Sequence, residues 1–86
     1  MNVGRVIGRL VATQKDPNLR GKKLLCLQPL AGRERPLVAV DAVGAGAGET
    51  VIYIRGREAS FAFLPEFVPC DAAVVGIVDH LREEEP

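Results

Sequence analysis

The chain alternates between short apolar segments and short polar segments that contain glycine or proline. Five of the apolar segments have the length and composition of β-strands, and turn residues bound each of them. We predict strands over residues 2–13, 22–30, 36–43, 49–55 (beginning at Glu49 or Thr50) and 72–81. Short strands with this punctuation are typical of a small barrel or sandwich rather than of a layered α/β fold. The sequence therefore predicts an all-β protein.

One connecting segment differs from the loops around it. Residues 14–21 are polar and predict a loop, whereas residues 57–64 predict a short helix that Pro65 ends. Neither an internal repeat nor a linker divides the 86 residues, so we expect a single domain over residues 1–86. We expect the acidic segment 82–86 to be frayed.

Several strands carry apolar residues on both faces. Strict alternation predicts two apolar faces for the last strand, formed by Ala73, Val75 and Ile77 and by Ala72, Val74, Gly76 and Val78. One face can fill a barrel, and the other needs a neighbouring subunit or the predicted helix as cover. The same alternation places Gly4 and Gly8 on one face of the first strand, where small residues allow bending or close approach.

The composition predicts an assembly. Hydrophobic residues make up 48% of the chain, which is generous for a domain too small to bury much of its surface alone. Oligomerisation is a usual remedy for so small a core. Basic and acidic residues number 11 each, so the formal net charge is zero and a polyanionic partner has no bulk electrostatic support.

The cysteines and the hydropathy pattern predict a soluble, intracellular protein. Cys26 and Cys70 lie far apart and form no CxxC unit, which is compatible with a reducing compartment. The first ten residues lack the apolar core of a signal peptide. No apolar run approaches the roughly 18 residues of a transmembrane helix.

Residues 43–49 (VGAGAGE) place glycines at every second position. A phosphate-binding P-loop needs Gly-Lys-Ser/Thr at the start of a helix, and that triplet is absent. A dinucleotide fingerprint needs glycine where Glu49 stands and a helix after it, but residues 50–54 predict a strand. Two interpretations remain: a plain surface loop, or a tight loop at which backbones of several chains converge.

Candidate catalytic and metal-binding residues are few. His80 directly follows Asp79, and adjacent side chains on a strand point to opposite faces, so they form no catalytic pair. His80, Cys26 and Cys70 match no familiar zinc spacing. Asp71 and Asp79 are eight residues apart, roughly 26 Å along a strand. We therefore predict no catalytic residue, cofactor or metal, and no enzyme.

Two further features bear on partners. Asp41 interrupts an apolar run, and a half-buried aspartate needs loop N–H groups or an arginine as partners. A nucleic-acid-binding barrel would expose stacking aromatics on its strands, but Tyr53 is the only aromatic in a predicted strand. Phe61, Phe63 and Phe67 lie in the connecting segment, where we expect core or interface packing.

Four segments, in order along the chain, resemble the EutN/CcmL family of bacterial microcompartment vertex proteins. They are residues 3–15, 21–30, 39–51 and 71–79. The most specific match is Asp41-Ala42-Val43-Gly44-Ala45-Gly46, which is similar to the family's Asp-x-[Val/Ile/Leu]-Gly-Ala-Gly signature.

The resemblance implies a five-stranded barrel of the oligonucleotide-binding (OB-like) type, assembled as a cyclic homopentamer. Such pentamers occupy the vertices of a carboxysome or metabolosome shell in the cytoplasm, beside hexameric shell proteins, without catalytic residues or a cofactor. Nucleic acid and membranes are not implied as partners. The family's glycine-rich loop surrounds a central opening, which implies as axis candidates Gly44, Ala45, Gly46, Ala47 and Gly48.

The sequence departs from the family pattern at two positions, and one alternative function remains open. Ser60 occupies a position where the family often has arginine, and Thr50 one where many relatives have an aromatic residue. The alternative function is a monomeric or dimeric OB-type barrel that binds nucleic acid or a protein ligand.

Overall fold

A computed structural model describes residues 1–12, 16–80 and 82 of the chain. Its strands are β1 (Asn2–Leu10), β2 (Leu24–Pro29), β3 (Leu37–Asp41), β4 (Thr50–Arg55) and β5 (Ala72–Val78). A single 3-10 turn spans Pro17–Leu19, and a longer 3-10 helix, here named the cap helix, spans Arg57–Phe63. The predicted all-β fold with one short helix after the fourth strand is confirmed.

The five strands close into a barrel in the order β1–β2–β3–β5–β4. Every neighbouring pair is antiparallel except β3 and β5, which run parallel and pair Val40 with Ala73 and Asp41 with Val74. Closure gives each of the five strands a partner on both sides, so none of them presents an unpaired edge. The five-stranded barrel expected from the family resemblance is confirmed.

The barrel interior is a small apolar core. Strand β2 shows the pattern most clearly, because Leu25 and Leu27 are buried while Cys26 between them is half-buried on the outer face. Burying a side chain such as Leu27 completely contributes about 1.5–3 kcal/mol. The interior cluster contains Val6, Leu25, Leu27, Ala39, Ala45, Val51, Tyr53, Ala72 and Val74.

A bulge in β1 changes which residues face the core. Gly4 pairs with Pro29, which is buried, but the register shifts between Val6 and Gly8, and Gly8 then pairs with the outward-facing Cys26. Directly opposed residues of an antiparallel pair share a face. The prediction that Gly4 and Gly8 share a face is therefore wrong, because one extra residue in a strand reverses the alternation beyond it.

A second bulge has the same effect in β5. Tyr53 of β4 pairs with Val74 and Val51 pairs with Ile77, with a register shift between them. Ile77 therefore lies on the inner side with Val74 and packs against the core, whereas Ala73 faces outward. The predicted face of Ala73, Val75 and Ile77 is wrong for the same physical reason as in β1.

Several strands are shorter than predicted. Strand β3 ends at Asp41, two residues early, because the carboxylate of Asp41 accepts hydrogen bonds from the N–H groups of Val43 and Gly44 and turns the chain. Strand β1 ends at Leu10 and β5 at Val78. The predicted strand ends at residues 13 and 81, and the segment 83–86, lie outside the described residues.

The cap helix and the segment after it cover part of the outer barrel surface. The cap helix contacts β4 and β5, and its Ala59 is fully buried, as is Val68 further along. Gly56 donates its N–H to the carbonyl oxygen of Asp71 at 2.8 Å, which joins the two ends of the segment. One outer face thus receives the cover that the sequence predicts. No helix within the described ranges is long and apolar enough to cross a membrane.

Candidate functional site

The side chain of Asp41 binds the first residues of the glycine-rich connection between β3 and β4. Its Oδ1 accepts hydrogen bonds from the N–H groups of Val43 and Gly44, both at 3.1 Å. Its Oδ2 lies 3.6 Å from Nζ of Lys23, and only 3% of the Asp41 side chain is exposed. The prediction of loop N–H partners is thus confirmed. The cationic partner is a lysine and not the arginine that we considered.

Lys23 also binds the loop directly. Its ammonium donates a hydrogen bond to the carbonyl oxygen of Ala45. The methyl group of Ala45 is fully buried and belongs to the barrel core. Of the five axis candidates, Ala45 thus directs its side chain into its own subunit. Gly44, Ala47 and Gly48 are exposed, and Gly46 is half-buried.

The second half of the loop is fixed to Glu49 and to β1. The Glu49 Oε1 atom accepts a hydrogen bond from the N–H of Gly46 at 2.6 Å. Gly48 donates to the carbonyl oxygen of Val6 at 2.8 Å, and the N–H of Val6 donates to the carbonyl oxygen of Glu49 at 2.9 Å. Because these loop amides donate within the chain, they are not available as a phosphate cradle.

Two of the loop glycines adopt a backbone conformation that favours glycine. Gly44 has a φ of 83° and Gly48 a φ of 86°, both in the left-handed region. Gly46 does not lie in that region. A residue with a β-carbon at Gly44 or Gly48 would be strained, so the repeated glycines serve the shape of the loop.

A groove on the outside of the barrel adjoins this loop. It has a volume of about 410 Å³, and two of its lining side chains, Ile7 and Leu30, are more than half exposed (52% and 55%). We name it the β1 groove; its lining residues are Arg5, Val6, Ile7, Gln28, Leu30, Ala47 and Gly48. Sequence reasoning did not identify Ile7 and Leu30, because apolar residues occur at both alternating sets of positions in β1, and Leu30 follows the end of β2.

A second apolar surface lies on the cap. Phe61, Leu64 and Phe67 are 63%, 65% and 70% exposed, and together they form what we name the cap surface. Phe63 is half-buried, with Nζ of Lys22 at 6.0 Å from the centre of its ring. The expectation that these phenylalanines pack in the core is wrong for Phe61 and Phe67. The alternative expectation, an interface, stays a prediction.

The candidate metal ligands do not come together. In the described part of the chain, no group of three or more His, Cys, Asp and Glu residues could hold a metal ion. His80 is exposed, and Cys26 and Cys70 are unpaired and half-buried. Burial and the carboxylate of Asp71 raise the pKa of the Cys70 thiol, against a backbone hydrogen bond that lowers it, which disfavours the reactive thiolate.

The aromatic residue in the strands is inaccessible. Tyr53 is 1% exposed and belongs to the barrel core, so its ring cannot stack on a nucleobase. Burial raises the pKa of the Tyr53 hydroxyl above its ordinary value, and the nearby Glu34 adds to this while Arg55 opposes it. A barrel with a fixed glycine loop and two exposed apolar surfaces is arranged for contact with other proteins.

Comparison with known proteins identifies the family. Residues 1–79 match the family model described as ethanolamine utilisation protein EutN/carboxysome. The chain belongs to the EutN/CcmL family. This membership confirms the resemblance of its four segments to microcompartment vertex proteins.

Relatives cover almost the whole chain. The microcompartment shell vertex protein PduN of Salmonella typhimurium is 45% identical, over 94% of this chain and 98% of its own length. The carboxysome shell vertex protein CcmL of Gloeobacter violaceus is 43% identical, over 92% of this chain and 83% of its own. The solved structure of GrpN, a pentameric microcompartment shell protein from Rhodospirillum rubrum, superposes with a TM-score of 0.83 at 42% identity, covering 98% of this chain and 100% of GrpN.

Family membership decides the class of function. The EutN/CcmL relatives are structural shell vertex proteins, so this family member is a shell protein and not an enzyme. Its place is the shell of a bacterial microcompartment, a protein compartment of the cytoplasm. The relatives give no support to the alternative of a monomeric or dimeric barrel that binds nucleic acid or a protein ligand.

Proposed function

We propose that this chain assembles into a closed ring of five copies that occupies the vertices of a microcompartment shell, beside hexameric shell proteins. The observation that carries the proposal is the end-to-end similarity to the pentameric shell protein GrpN. A ring with head-to-tail contacts closes only if the rotation between subunits fits, and five-fold closure is what a vertex among six-fold neighbours needs. The mechanism is geometric: the ring curves and seals the shell.

The glycine-rich loop is the part of the subunit that suits a five-fold axis. The axis loop, residues 44–48, exposes Gly44, Ala47 and Gly48, and small residues permit backbones to approach closely. In this proposal Ala45 contributes its backbone to the axis and uses its methyl group as an anchor in its own barrel. Five such loops would surround a narrow opening.

The β1 groove suits the contact between neighbouring copies. Ala47 and Gly48 belong to the axis loop and also line the β1 groove. If the loop lies at the five-fold axis, the groove therefore lies against the next subunit. Ile7 and Leu30 supply apolar area that association would remove from water. The cap surface is then left for hexameric neighbours in the shell, with Phe61 and Phe67 as aromatic contact residues of the kind enriched at interfaces.

The experiment that tests the ring is a measurement of solution mass by light scattering coupled to size exclusion. Five copies of the 9.2 kDa chain give about 46 kDa. A monomer or dimer that persists at high protein concentration would contradict the proposal. A second experiment addresses the vertex: co-expressed hexameric shell proteins should form closed shells with this chain and shells open at the vertices without it.

A further inference from the structure

Two adjacent lysines just before β2 hold two different parts of the molecule. The Nζ atom of Lys22 lies 2.9 Å from Oε2 of Glu66, in the segment that follows the cap helix. The Nζ atom of Lys23 instead reaches the axis loop, through the carboxylate of Asp41 and the carbonyl oxygen of Ala45. Of these neighbouring lysines, Lys23 therefore binds the axis loop and Lys22 binds the segment that follows the cap helix.

Lys23 and Asp41 are joined through both backbone and side chain. The N–H of Asp41 donates to the carbonyl oxygen of Lys23 at 2.9 Å, and the two charged groups lie 3.6 Å apart. The Asp41 side chain is 3% exposed and that of Lys23 is 31% exposed. Water screens so sheltered a pair less than an exposed surface pair, and its removal should have a measurable effect.

Glu49 acts on the opposite end of the same loop. Its side chain binds the N–H of Gly46, and its backbone carbonyl accepts from β1 at Val6. The carboxylates of Asp41 and Glu49 thus fix the first and second halves of the loop separately. Exposed Ala47 lies between Gly46, which Glu49 binds, and Gly48, which donates to the carbonyl oxygen of Val6. All of these contacts are made inside a single copy.

We propose that Lys23, Asp41 and Glu49 are positioning residues for assembly, which give the axis loop its final shape within each subunit before the subunits meet. This inference rests on the proposed ring with the loop at its axis. Association costs free energy when a loop has to be ordered at the interface, and a loop ordered during folding avoids that cost. The charged groups of Lys23, Asp41 and Glu49 bind the loop from within its own subunit and leave its exposed residues free to contact the next subunit.

The adjacent lysines supply a matched pair of variants. Lys23→Met and Lys22→Met each keep an apolar stem of similar length and remove one positive charge at almost the same place. Dilution of the ring, followed by analytical ultracentrifugation, measures the concentration at which half of it dissociates. We expect Lys23→Met to raise this concentration at least about tenfold, since one charge-assisted contact accounts for that much. Lys22→Met should leave it within about twofold of wild type.

Hydrogen exchange supplies a local measurement that general destabilisation would not reproduce. Lys23→Met should accelerate exchange at the amides of Val43 and Gly44, which Asp41 binds, and leave the amides of the barrel strands close to wild type. Asp41→Asn keeps an oxygen that accepts from these amides, whereas Asp41→Ala does not. We therefore expect Asp41→Asn to retain a more stable ring than Asp41→Ala.

Distinct outcomes overturn the inference and the proposed function. A wild-type chain that forms no ring overturns the proposed function, and with it the role of the loop in assembly. If the wild-type chain forms a ring, and Lys23→Met and Lys22→Met weaken that ring equally or not at all, the positioning role alone is overturned. Exchange that accelerates uniformly across loop and barrel strands in Lys23→Met would also overturn it. If Lys23→Met does not fold, the comparison of Asp41→Asn with Asp41→Ala decides the question.

Discussion

The ring of Tyr53 lies directly against Gly4, across the pairing of β4 with β1. A β-carbon placed on residue 4 would come within 3.0 Å of Cε1 of Tyr53 and 3.2 Å of the carbonyl oxygen of Gln28. Ordinary contacts of a β-carbon begin near 3.4 Å. The absence of a side chain at residue 4 is therefore what allows the largest side chain of the core to fit inside a small barrel.

We predict that Gly4→Ala lowers the free energy of unfolding by about 1–3 kcal/mol, the usual cost of overpacking a core. Gly8→Ala is the matched control, because a β-carbon there would meet nothing within 4 Å, and its effect should stay within about 0.5 kcal/mol. Urea denaturation at one fixed protein concentration measures both variants, since assembly makes stability depend on concentration. Equal effects of the two substitutions would contradict the close contact with Tyr53.

Tyr53 also predicts a dependence of stability on alkaline pH. Its pKa is raised in the folded protein, chiefly by burial, so the unfolded chain loses the hydroxyl proton first as the pH rises. The contribution of this group to the free energy of unfolding is fully present below about pH 10, which is the pKa of tyrosine in the unfolded chain. It is lost progressively as the pH rises from there to the pKa of the folded protein. Between pH 8 and 11, wild type should lose stability more steeply than Tyr53→Phe, as measured by thermal unfolding. Parallel pH profiles would show that Tyr53 is not the titrating group.

The number of strands and their succession along the chain could be predicted from the sequence, because turn residues separate the apolar segments. Their order in the barrel, with β3 beside β5, could not. The faces of β1 and β5 could not. One extra residue at each bulge leaves no mark in an apolar segment, yet it reverses the alternation beyond it. Gly8 and Ile77 were placed on the wrong faces for this reason, whereas β2, which follows the regular alternation, shows its core residues directly.

The candidate site was only partly accessible from the sequence. The glycine spacing marks the loop, and the half-buried position of Asp41 signals a need for partners. The role of Lys23 has no local signal, because the atoms it binds belong to a segment some twenty residues away. Nothing in the sequence distinguishes it from the neighbouring Lys22. The burial of Ala45 likewise depends on the barrel closing around it.

The three loop glycines should differ in their tolerance of alanine. Gly44→Ala and Gly48→Ala place a β-carbon on a left-handed backbone and should each cost about 1–2 kcal/mol of stability. Gly46→Ala should be neutral or gain up to about 1 kcal/mol, because its β-carbon would lie 3.6 Å from Oε1 of Glu49, an ordinary contact. Thermal unfolding of the three variants checks the order. A loss at Gly46 equal to that at Gly44 would contradict the conformational reason.

The assignment of the two apolar surfaces leads to a prediction about the ring itself. Ile7→Glu places a charge in the β1 groove, and because Ile7 is 52% exposed in the single copy, the barrel should fold as before. A charge without a partner is costly to bury between subunits, so we expect ring dissociation to become easier by on the order of 100-fold. Phe67→Glu, an equivalent change on the cap surface, should leave the solution mass unchanged and weaken incorporation into shells of hexameric proteins. A ring that survives Ile7→Glu but dissociates in Phe67→Glu would reverse the assignment, because the cap surface would then be the contact between subunits.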